Sequence, residues 1–275
     1  MLCNMKIAVL MTCHDRVGTT IECLHRLYDC ELPRGATFDV WLNDDGCTDG
    51  TGAKVSLVFP SVKVIKGSGH DYWCGGMRRA WEAASRHFDY DGYLWLNDDT
   101  LLTKEALRVI LDDADRRERG IVVGSISGHD GKTATYGGED EKGFVVPDGT
   151  WHRLRQMNGN AVWIPRAVFH RLGNFAQYLT HALGDCDYSR SAVRAGIPVW
   201  LTPRYIGICD RHPRADAWKR PDVPLLRRFR SLYSPLGGNE PLVLFRYCLK
   251  HDGVLVALKL FVGNHLRVLF PGRWQ

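Results

Sequence analysis

No two of the nine cysteines stand in C-x-x-C spacing. The spacings typical of zinc sites and of dithiol redox motifs are therefore missing. Scattered cysteines of this kind are expected to remain reduced thiols, as is usual in a cytoplasm. The first six residues also lack a basic segment followed by an apolar core, so the sequence predicts no secretory signal. We expect the protein to act inside the cell.

The chain also lacks an uninterrupted apolar run of membrane-spanning length. A spanning helix needs about 20 mostly apolar residues. Residues 254–270 are strongly apolar but contain four polar or charged side chains: Lys259, Asn264, His265 and Arg267. We therefore predict no transmembrane helix.

A helix over residues 254–270 would place Lys259, Gly263 and Arg267 on one narrow polar stripe and leave a broad apolar face. We expect that face to pack on the rest of the protein or on a second subunit, as in a homo-oligomer. The alternative is peripheral contact with the inner face of a membrane, because arginines are concentrated nearby in residues 227–230.

Acidic residues are scarce only in the last quarter of the chain. Residues 204–275 hold 13 Lys/Arg and 5 Asp/Glu, whereas residues 1–203 hold 23 and 26. Such a basic tail is typical of a solvated surface, a nucleic-acid face or a contact with an anionic membrane. Its aromatic residues show no evident platform for stacking bases, so nucleic acid is not expected as a partner; they are Trp218, Phe229, Tyr233 and Phe245.

Short apolar segments alternate with helical patterns through the first half of the chain. This alternation predicts parallel β-α-β units with helices on both faces of a sheet, the α/β class. Strands are predicted at residues 6–12, 38–42, 62–65, 93–96 and 121–127. Helices are predicted at residues 19–28, 51–58, 77–87 and 103–119.

The alternation stops after residue 127. The remaining elements predict a mixed sheet: a hairpin or flap at residues 133–147, strands at 159–165 and 198–202, and helices at 166–172 and from about 184 to 196. No linker separates the two halves. We therefore expect one domain over residues 1–215, followed by a basic, mainly helical extension over residues 216–275.

Polar loops follow four of the predicted strands. In open α/β sheets, ligands bind at the edge where the strands have their carboxyl ends. Convergence of these loops favours a nucleotide-type site over four independent turns. The loops are residues 12–16, 43–49, 67–76 and 97–99.

The loop after the fourth strand contains Asn97, Asp98 and Asp99. Adjacent carboxylates repel each other, so they cost stability unless a cation or hydrogen-bond donors compensate. A hard divalent cation that also binds substrate phosphates would compensate, and this oxygen-ligand set suits Mg²⁺ or Mn²⁺. We predict such a metal at Asp99, assisted by Asn97 or Asp98. The alternative is a strand-to-helix turn in which Asp99 or Thr100 caps the next helix.

Asp185 and Asp187 stand at the start of a predicted helix. Side chains two residues apart diverge on a helix, so the pair does not share one function easily. Asp185 is our candidate for the general base that deprotonates an acceptor hydroxyl, and Asp187 could anchor a loop. The alternative is that both carboxylates only complement the helix dipole.

Near the basic tail, His212 is a candidate metal ligand, with an ordinary structural histidine as the alternative.

Nucleotide recognition would involve the first two loops, and the third could contact the donor sugar. Asp44 or Asp45 could accept a hydrogen bond from a base N–H or a ribose hydroxyl, residues 12–14 could wall the base, and Trp73 could form a platform near a donor sugar. The alternatives are an ordinary turn with a helix cap and a core tryptophan.

Four segments in this order resemble the family-two inverting glycosyltransferases with the GT-A fold. They are Leu-Met-Thr-Cys-His-Asp-Arg (residues 10–16), Asn-Asp-Asp-Gly-Cys-Thr-Asp-Gly-Thr (43–51), Leu-Trp-Leu-Asn-Asp-Asp (94–99) and Gly-Asp-Cys-Asp-Tyr (184–188). The resemblance covers roughly residues 5–212. Residues 69–77, 157–161 and 234–237 are similar to a bacterial branch with rhamnosyltransferase-like enzymes of surface-polysaccharide synthesis.

The resemblance implies a role for each matching position. Residues 97–99 match the metal and diphosphate motif, although Asn97 departs from its usual first Asp. Asp185 matches the catalytic base, and Gly184 stands where the family usually has Glu. The resulting nucleotide- and donor-binding candidates are Thr12, Cys13, His14, Arg16, Asp44, Asp45, Gly69, Trp73, Gly76, Asn97 and Asp98. The metal candidates are Asp99, Asn97 and His212.

We therefore predict an inverting, metal-dependent glycosyltransferase that uses dTDP-rhamnose or a UDP-sugar and a glycan or lipid-linked acceptor, in the cytoplasm or at the inner face of the membrane. One alternative is a sugar nucleotidyltransferase, but residues 13–18 lack the glycine-rich, basic loop that it would need after the first strand. The other is a non-catalytic nucleotide-sugar or glycan-binding protein on the same fold.

Overall fold

A computed structural model describes residues 5–112, 120–211, 217–237 and 240–273. The strands are β1 (Lys6–Cys13), β2 (Thr37–Asp44), β3 (Lys63–Lys66), β4 (Gly92–Leu96), β5 (Leu101–Leu102), β6 (Ile121–Ser127), β7 (Ala134–Asp140), β8 (Gly143–Phe144), β9 (His152–Arg153), β10 (Gln156–Asn158), β11 (Ala161–Pro165) and β12 (Val199–Ile208). The α-helices are α1 (Val17–Tyr28), α2 (Thr51–Val58), α3 (Tyr72–His87), α4 (Ala106–Asp112), α5 (Arg166–Leu172), α6 (Gly184–Arg194), α7 (Leu225–Leu232), α8 (Pro241–His251) and α9 (Val254–Leu269).

The first four long strands form the predicted parallel unit. They lie in the order β3-β2-β1-β4, and each neighbouring pair is parallel. Parallel strands joined by helices all end at the same edge of the sheet. The four polar loops predicted from the sequence therefore emerge side by side.

The second half of the sheet is mixed, as expected, but its order was not predictable from the alternation. β11 lies between β4 and β6 and is antiparallel to both. The predicted fifth strand, β6, is therefore not a direct neighbour of β4. β6 continues into the predicted hairpin of β7 and β8, and β12 returns parallel to β6.

Apolar side chains fill both faces of the sheet. One cluster includes Leu24 of α1, Val55 of α2 and Leu107 of α4. The other lies under α3, α5 and α6 and includes Trp81 and Tyr188. Helices on both faces explain why β4 and β6 are buried along their whole length.

Helix α3 begins five residues earlier than predicted, so residues 72–76 are helical rather than part of the glycine-rich loop. The sequence predicts Gly75 and Gly76 in the loop of residues 67–76, and glycine generally disfavours helices. A Cβ at residue 76 would collide with Oγ1 of Thr12. Glycine is required there because α3 crosses β1 at very short range. The predicted helix at 103–119 is seen as α4, and its residues 113–119 lie outside the described part.

The C-terminal helices are attached to α6 through buried and half-buried ion pairs. Asp187 accepts from Lys250 Nζ at 2.8 Å and contacts Nε2 of His251 at 2.9 Å. Arg190 donates to Asp252 at 2.7 Å. Asp187 therefore anchors α8 to α6, and it also accepts from the hydroxyl of Tyr178 at 3.1 Å. α9 packs on α8 and α7.

Candidate active site

The loop after β4 places Asp98 and Asp99 around a single guanidinium group. Nη1 of Arg16 lies 2.8 Å from Oδ2 of Asp99 and 3.4 Å from Oδ1 of Asp98. Asp98 is buried and also accepts from Oγ1 of Thr20 at 3.1 Å. Burial raises the pKa of Asp98 to about 6, against the lowering effect of Arg16. The predicted compensation of the carboxylates is therefore supplied in part by Arg16.

The two carboxylates fit a divalent cation by donor chemistry. Their oxygens converge on one point where a positive charge already lies, and both are hard ligands. His212, the predicted additional ligand, lies outside the described residues. Within the described part of the chain, groups of three ligand side chains occur elsewhere, and both include Cys47. Substrate phosphates and water would be further ligands of a metal held by Asp99.

The side-chain amide of Asn97 is held by two hydrogen bonds within the protein. Its Oδ1 accepts from Nε1 of Trp73 at 2.8 Å, and its Nδ2 donates to Oδ1 of Asn160 at 2.9 Å. Trp73 packs edge-on against Trp95 and Phe175. Asn97 therefore orients Trp73. Asn160 was not a predicted site residue, and the signal for it in the sequence is its place in the segment 157–161.

Asp45 is buried and bound to the protein's own backbone. Its carboxylate accepts from the N–H groups of Gly69 at 2.8 Å, Asp71 at 3.1 Å and Tyr72 at 2.9 Å. These are the unpaired donors that precede and begin α3. Three backbone hydrogen bonds therefore hold the Asp45 carboxylate as a cap of α3, whereas the side chain of the neighbouring Asp44 accepts one backbone hydrogen bond, from the N–H of Cys47. The contact of Asp45 with a base or ribose stays a prediction.

Asp45→Ala is expected to lower the free energy of unfolding by about 3 kcal/mol, because three N–H groups in a buried turn lose their acceptor. Urea unfolding would measure this change. Asp44→Ala is the matched control and should cost about 1 kcal/mol, since it removes one such bond. Equal losses in the two variants would contradict the capping role of Asp45.

The loop after β1 lies against the loop after β2. Cys13 is buried, with its Sγ 3.7 Å from Sγ of Cys47, and His14 Nδ1 lies 2.7 Å from the carbonyl oxygen of Asp45. Asp15 accepts from the N–H of Thr48 at 2.6 Å. Burial raises the pKa of the Cys47 thiol to about 11. The two loops therefore pack against each other at the edge of the sheet, and their role as the wall of a base-binding site stays a prediction.

Asp185 stands at the first turn of α6, half-buried beside the segment 158–160. Its Oδ2 accepts from the N–H of Gly159 at 3.2 Å and its Oδ1 from the N–H of Cys186 at 2.8 Å. Burial nevertheless raises the pKa of Asp185. Asn160, next to Gly159, is bonded to Asn97, so this short segment joins Asp185 to the loop after β4.

The absence of a side chain at Gly184 has a steric cause. A Cβ there would lie 2.5 Å from Sγ of Cys74 and 3.1 Å from the ring of Trp73. The Glu that the resemblance leads one to expect at this position therefore does not fit beside Trp73. Because Gly184 has no side chain, the start of α6 packs closely on α3.

Non-glycine residues with left-handed backbone conformations occur in the loops of this site. In the described part of the chain, the non-glycine residues with positive φ are Asp15 at 49°, Tyr72 at 53° and Leu183 at 70°. They lie in the loop after β1, at the start of α3 and just before α6. Such conformations are costly for residues with a Cβ and are concentrated at functional sites.

A cleft of about 440 Å³ opens beside Asp185. Asn158 and Cys186, which flank the Asp185 contacts, line one end. The other lining residues include Glu139, Phe144, Gln156 and Arg211. The guanidinium of Arg211 lies over the Phe144 ring, 5.2 Å from its centroid. This cleft was not predicted, because its lining comes from the hairpin and β10.

The family model for Glycosyl transferase family 2 matches residues 8–185. This span is more than half of the chain and runs from β1 through the four loops to Asp185. The chain belongs to Glycosyl transferase family 2. No curated protein sequence matches the chain significantly.

Solved structures share the fold of this family 2 protein. A mannosyltransferase from Pyrobaculum calidifontis, determined with GDP-Man and Mn²⁺, has a TM-score of 0.57 and 15% identity over 96% of this chain and 80% of that one. S. aureus TarS 1–349, determined with UDP-GlcNAc, has a TM-score of 0.60 and 14% identity over 96% of this chain and 72% of that one. At such identities the likeness concerns the fold alone, and it is the predicted GT-A fold. The rhamnosyltransferase-like branch remains a prediction.

Proposed function

We propose that this family 2 protein is an inverting glycosyltransferase that moves a sugar from a nucleotide-diphosphate donor to a hydroxyl of a glycan or lipid-linked acceptor. The observation that supports it best is the set of contacts around Asp185. Its carboxylate accepts from the N–H of Cys186, which lines a polar cleft, and from the N–H of Gly159, whose neighbour Asn160 is hydrogen-bonded to Asn97 in the loop with Asp98 and Asp99. One side of that carboxylate suits an acceptor, and the other suits a diphosphate.

In this proposal Asp185 is the general base. Its two backbone contacts, from Gly159 and Cys186, orient the carboxylate without a bound cation. A base works best when its pKa lies close to the working pH, and burial moves the pKa of Asp185 in that direction. The acceptor oxygen attacks the anomeric carbon as its proton passes to Asp185. The bond from that carbon to the diphosphate breaks, its electron pair leaves with the diphosphate, and the configuration inverts.

The leaving diphosphate would lie near Asp99 and Arg16. Bound Mn²⁺ or Mg²⁺ would neutralise the charge that develops on the phosphate oxygens. Asp99 would hold the cation, with Asp98 beside it. Arg16 can pair with either carboxylate or phosphate, because its planar guanidinium suits both. Asn97 would orient Trp73 at the donor sugar and would not bind the metal.

The donor nucleotide would be recognised by the loops after β1 and β2. Residues 12–14 and Asp44 would contact the base and ribose, whereas Asp45, Gly69 and Gly76 would shape the loop and its helix. The donor candidates are dTDP-rhamnose, UDP-sugars and GDP-mannose. The last two classes are included because the two similar structures were determined with UDP-GlcNAc and GDP-Man.

The acceptor would enter the 440 Å³ cleft beside Asp185. Half-exposed Phe144 offers a flat apolar surface to a sugar ring, and Glu139 and Gln156 offer hydrogen bonds to its hydroxyl groups. Mostly concave sites with a few polar groups are typical of small-ligand binding. The cleft therefore suits one or two sugar units of a glycan.

A donor panel tests this proposal. A true donor should raise the melting temperature in the presence of Mn²⁺, by an amount that grows with its concentration over Kd. The same donor should be hydrolysed slowly alone and faster with a glycan acceptor. Donor binding without turnover under any acceptor would instead indicate a nucleotide-sugar-binding protein.

A further inference from the structure

The outward face of helix α9 is a stripe of exposed aliphatic side chains. The stripe consists of Leu255, Leu258, Val262, Leu266 and Leu269. These residues are three or four positions apart, so they lie on one side of the helix. Leu255 is 80% exposed. The opposite side of the same helix is buried at Ala257, Asn264 and Val268. α9 is thus apolar on both sides, although only one is covered within this chain.

Further apolar residues are exposed on the helices that pack with α9. Leu226 of α7 is 77% exposed, and Leu242 and Leu249 of α8 are also exposed. Scattered exposed leucines are ordinary, but contiguous apolar surfaces are rare on soluble monomers and mark interaction sites. We therefore infer that the aliphatic stripe is a contact surface for another molecule or a membrane.

The surrounding charge is almost entirely positive. Residues 225–275 contain eight Lys/Arg and two Asp/Glu. Both acids are turned towards the rest of the protein: Asp252 pairs with Arg190, and Glu240 accepts from Thr180. Lys259 is exposed at the border of the stripe, and Arg227 and Arg230 are exposed on α7. A second copy of this chain would bring like charges together, whereas an anionic lipid surface would attract them.

The length of α9 suits a position along a membrane surface. Its 16 residues extend about 24 Å, less than the hydrocarbon thickness of a bilayer. Among the described residues, no helix is both long and apolar enough to span a membrane. Helices that lie in the interface combine an apolar face with flanking Lys and Arg.

We propose that the aliphatic stripe of α9 docks on an anionic phospholipid membrane, with the arginines of α7 against the headgroups. The docked helices are next to the acceptor side of the molecule, because Tyr247 and Ala257 share an apolar cluster with Leu183 and Cys186, the neighbours of Asp185. Membrane docking itself does not depend on the proposed enzymatic function. Together with that function, it favours a lipid-linked acceptor.

Sedimentation with vesicles tests the docking. The purified chain is expected to sediment with vesicles of equal parts phosphatidylglycerol and phosphatidylcholine, and more weakly with phosphatidylcholine alone. Leu255→Gln combined with Leu258→Gln should lower the affinity for anionic vesicles by about tenfold or more, because the stripe loses two apolar side chains that the membrane would bury. Leu57→Gln is the matched control, since Leu57 is 74% exposed on α2, outside the stripe. It should bind as the unmodified chain does.

Two results would overturn the inference. One is equal vesicle binding by the stripe variant and the Leu57→Gln control. The other is a dimer, detected by light scattering, that dissociates in the stripe variant while the unmodified chain ignores vesicles. Neither result concerns donor turnover, so the docking and the enzymatic proposal can fail separately.

Discussion

Replacing Asp185 with Asn is expected to lower kcat for sugar transfer by about 1000-fold, a typical loss for a missing general base. Asn has the same shape and can still accept from the N–H of Gly159, but it cannot take the acceptor proton. Donor affinity should therefore change little. Steady-state transfer rates and donor titration by calorimetry would separate the two quantities.

Asp187→Asn is the matched control for Asp185→Asn. Asp187 lies on the same helix, but its partners are Lys250, His251 and Tyr178, none of which lines the cleft. Its replacement should lower the melting temperature, because it removes one partner of a buried ion pair, while kcat stays near normal. Loss of transfer in Asp187→Asn with transfer retained in Asp185→Asn would refute the assignment of the base.

The pH profile offers a second measurement on the same residue. A carboxylate base is active only when deprotonated, so the rate falls as the pH falls through its pKa. Because burial raises the pKa of Asp185, this acid limb should lie at higher pH than for an ordinary aspartate, whose pKa is about 3.9. Asp98, with a pKa of about 6, is the other buried acid of the site. Asp98→Asn should leave the limb in place if Asp185 causes it.

Replacing Asp99 with Asn is expected to lower transfer by about 100-fold and to raise the Mn²⁺ concentration needed for half-maximal rate, because the cation loses its charged ligand. Rates measured over a manganese titration, after treatment with a chelator, would show both effects. Glu82→Gln removes an exposed carboxylate of α3 and should change neither value.

Arg16 provides the competing explanation for charge compensation at this corner. If Arg16 alone neutralises the diphosphate, chelation should leave transfer unchanged and Arg16→Ala should abolish it. That outcome would refute metal dependence and leave the glycosyltransferase proposal intact. The arrangement of one guanidinium between two carboxylates makes this comparison decisive.

The convergence of the four loops could be predicted because it depends on local pattern. Apolar segments of strand length alternate with helices, and parallel strands must then end at one edge. Thr12, Asp44, Trp73 and Asp99 were placed at this edge by the positions of the strands alone. The family match agrees with the same segments, since it begins in β1 and ends at Asp185.

The partners of individual side chains could not be predicted, because they come from distant parts of the chain. Asp44 and Asp45 are adjacent and chemically identical, yet only Asp45 points at the backbone that begins α3. Asn97 is a predicted metal candidate, and its amide also binds Trp73 and Asn160, the latter 63 residues away. Each of these outcomes depends on the direction of a side chain after packing.

By itself, the sequence determined the α/β class, the four-loop edge and the identity of the candidate base, because strand length, helix spacing and motif order are properties of short segments. Only the tertiary structure decided how β11 enters the sheet, where the cleft lined by Cys186 opens and which side of α9 is left exposed. α9 is apolar on both sides, so its pattern could not show which side would be covered. Packing against α7 and α8 covers one side of α9 and leaves the aliphatic stripe exposed on the other.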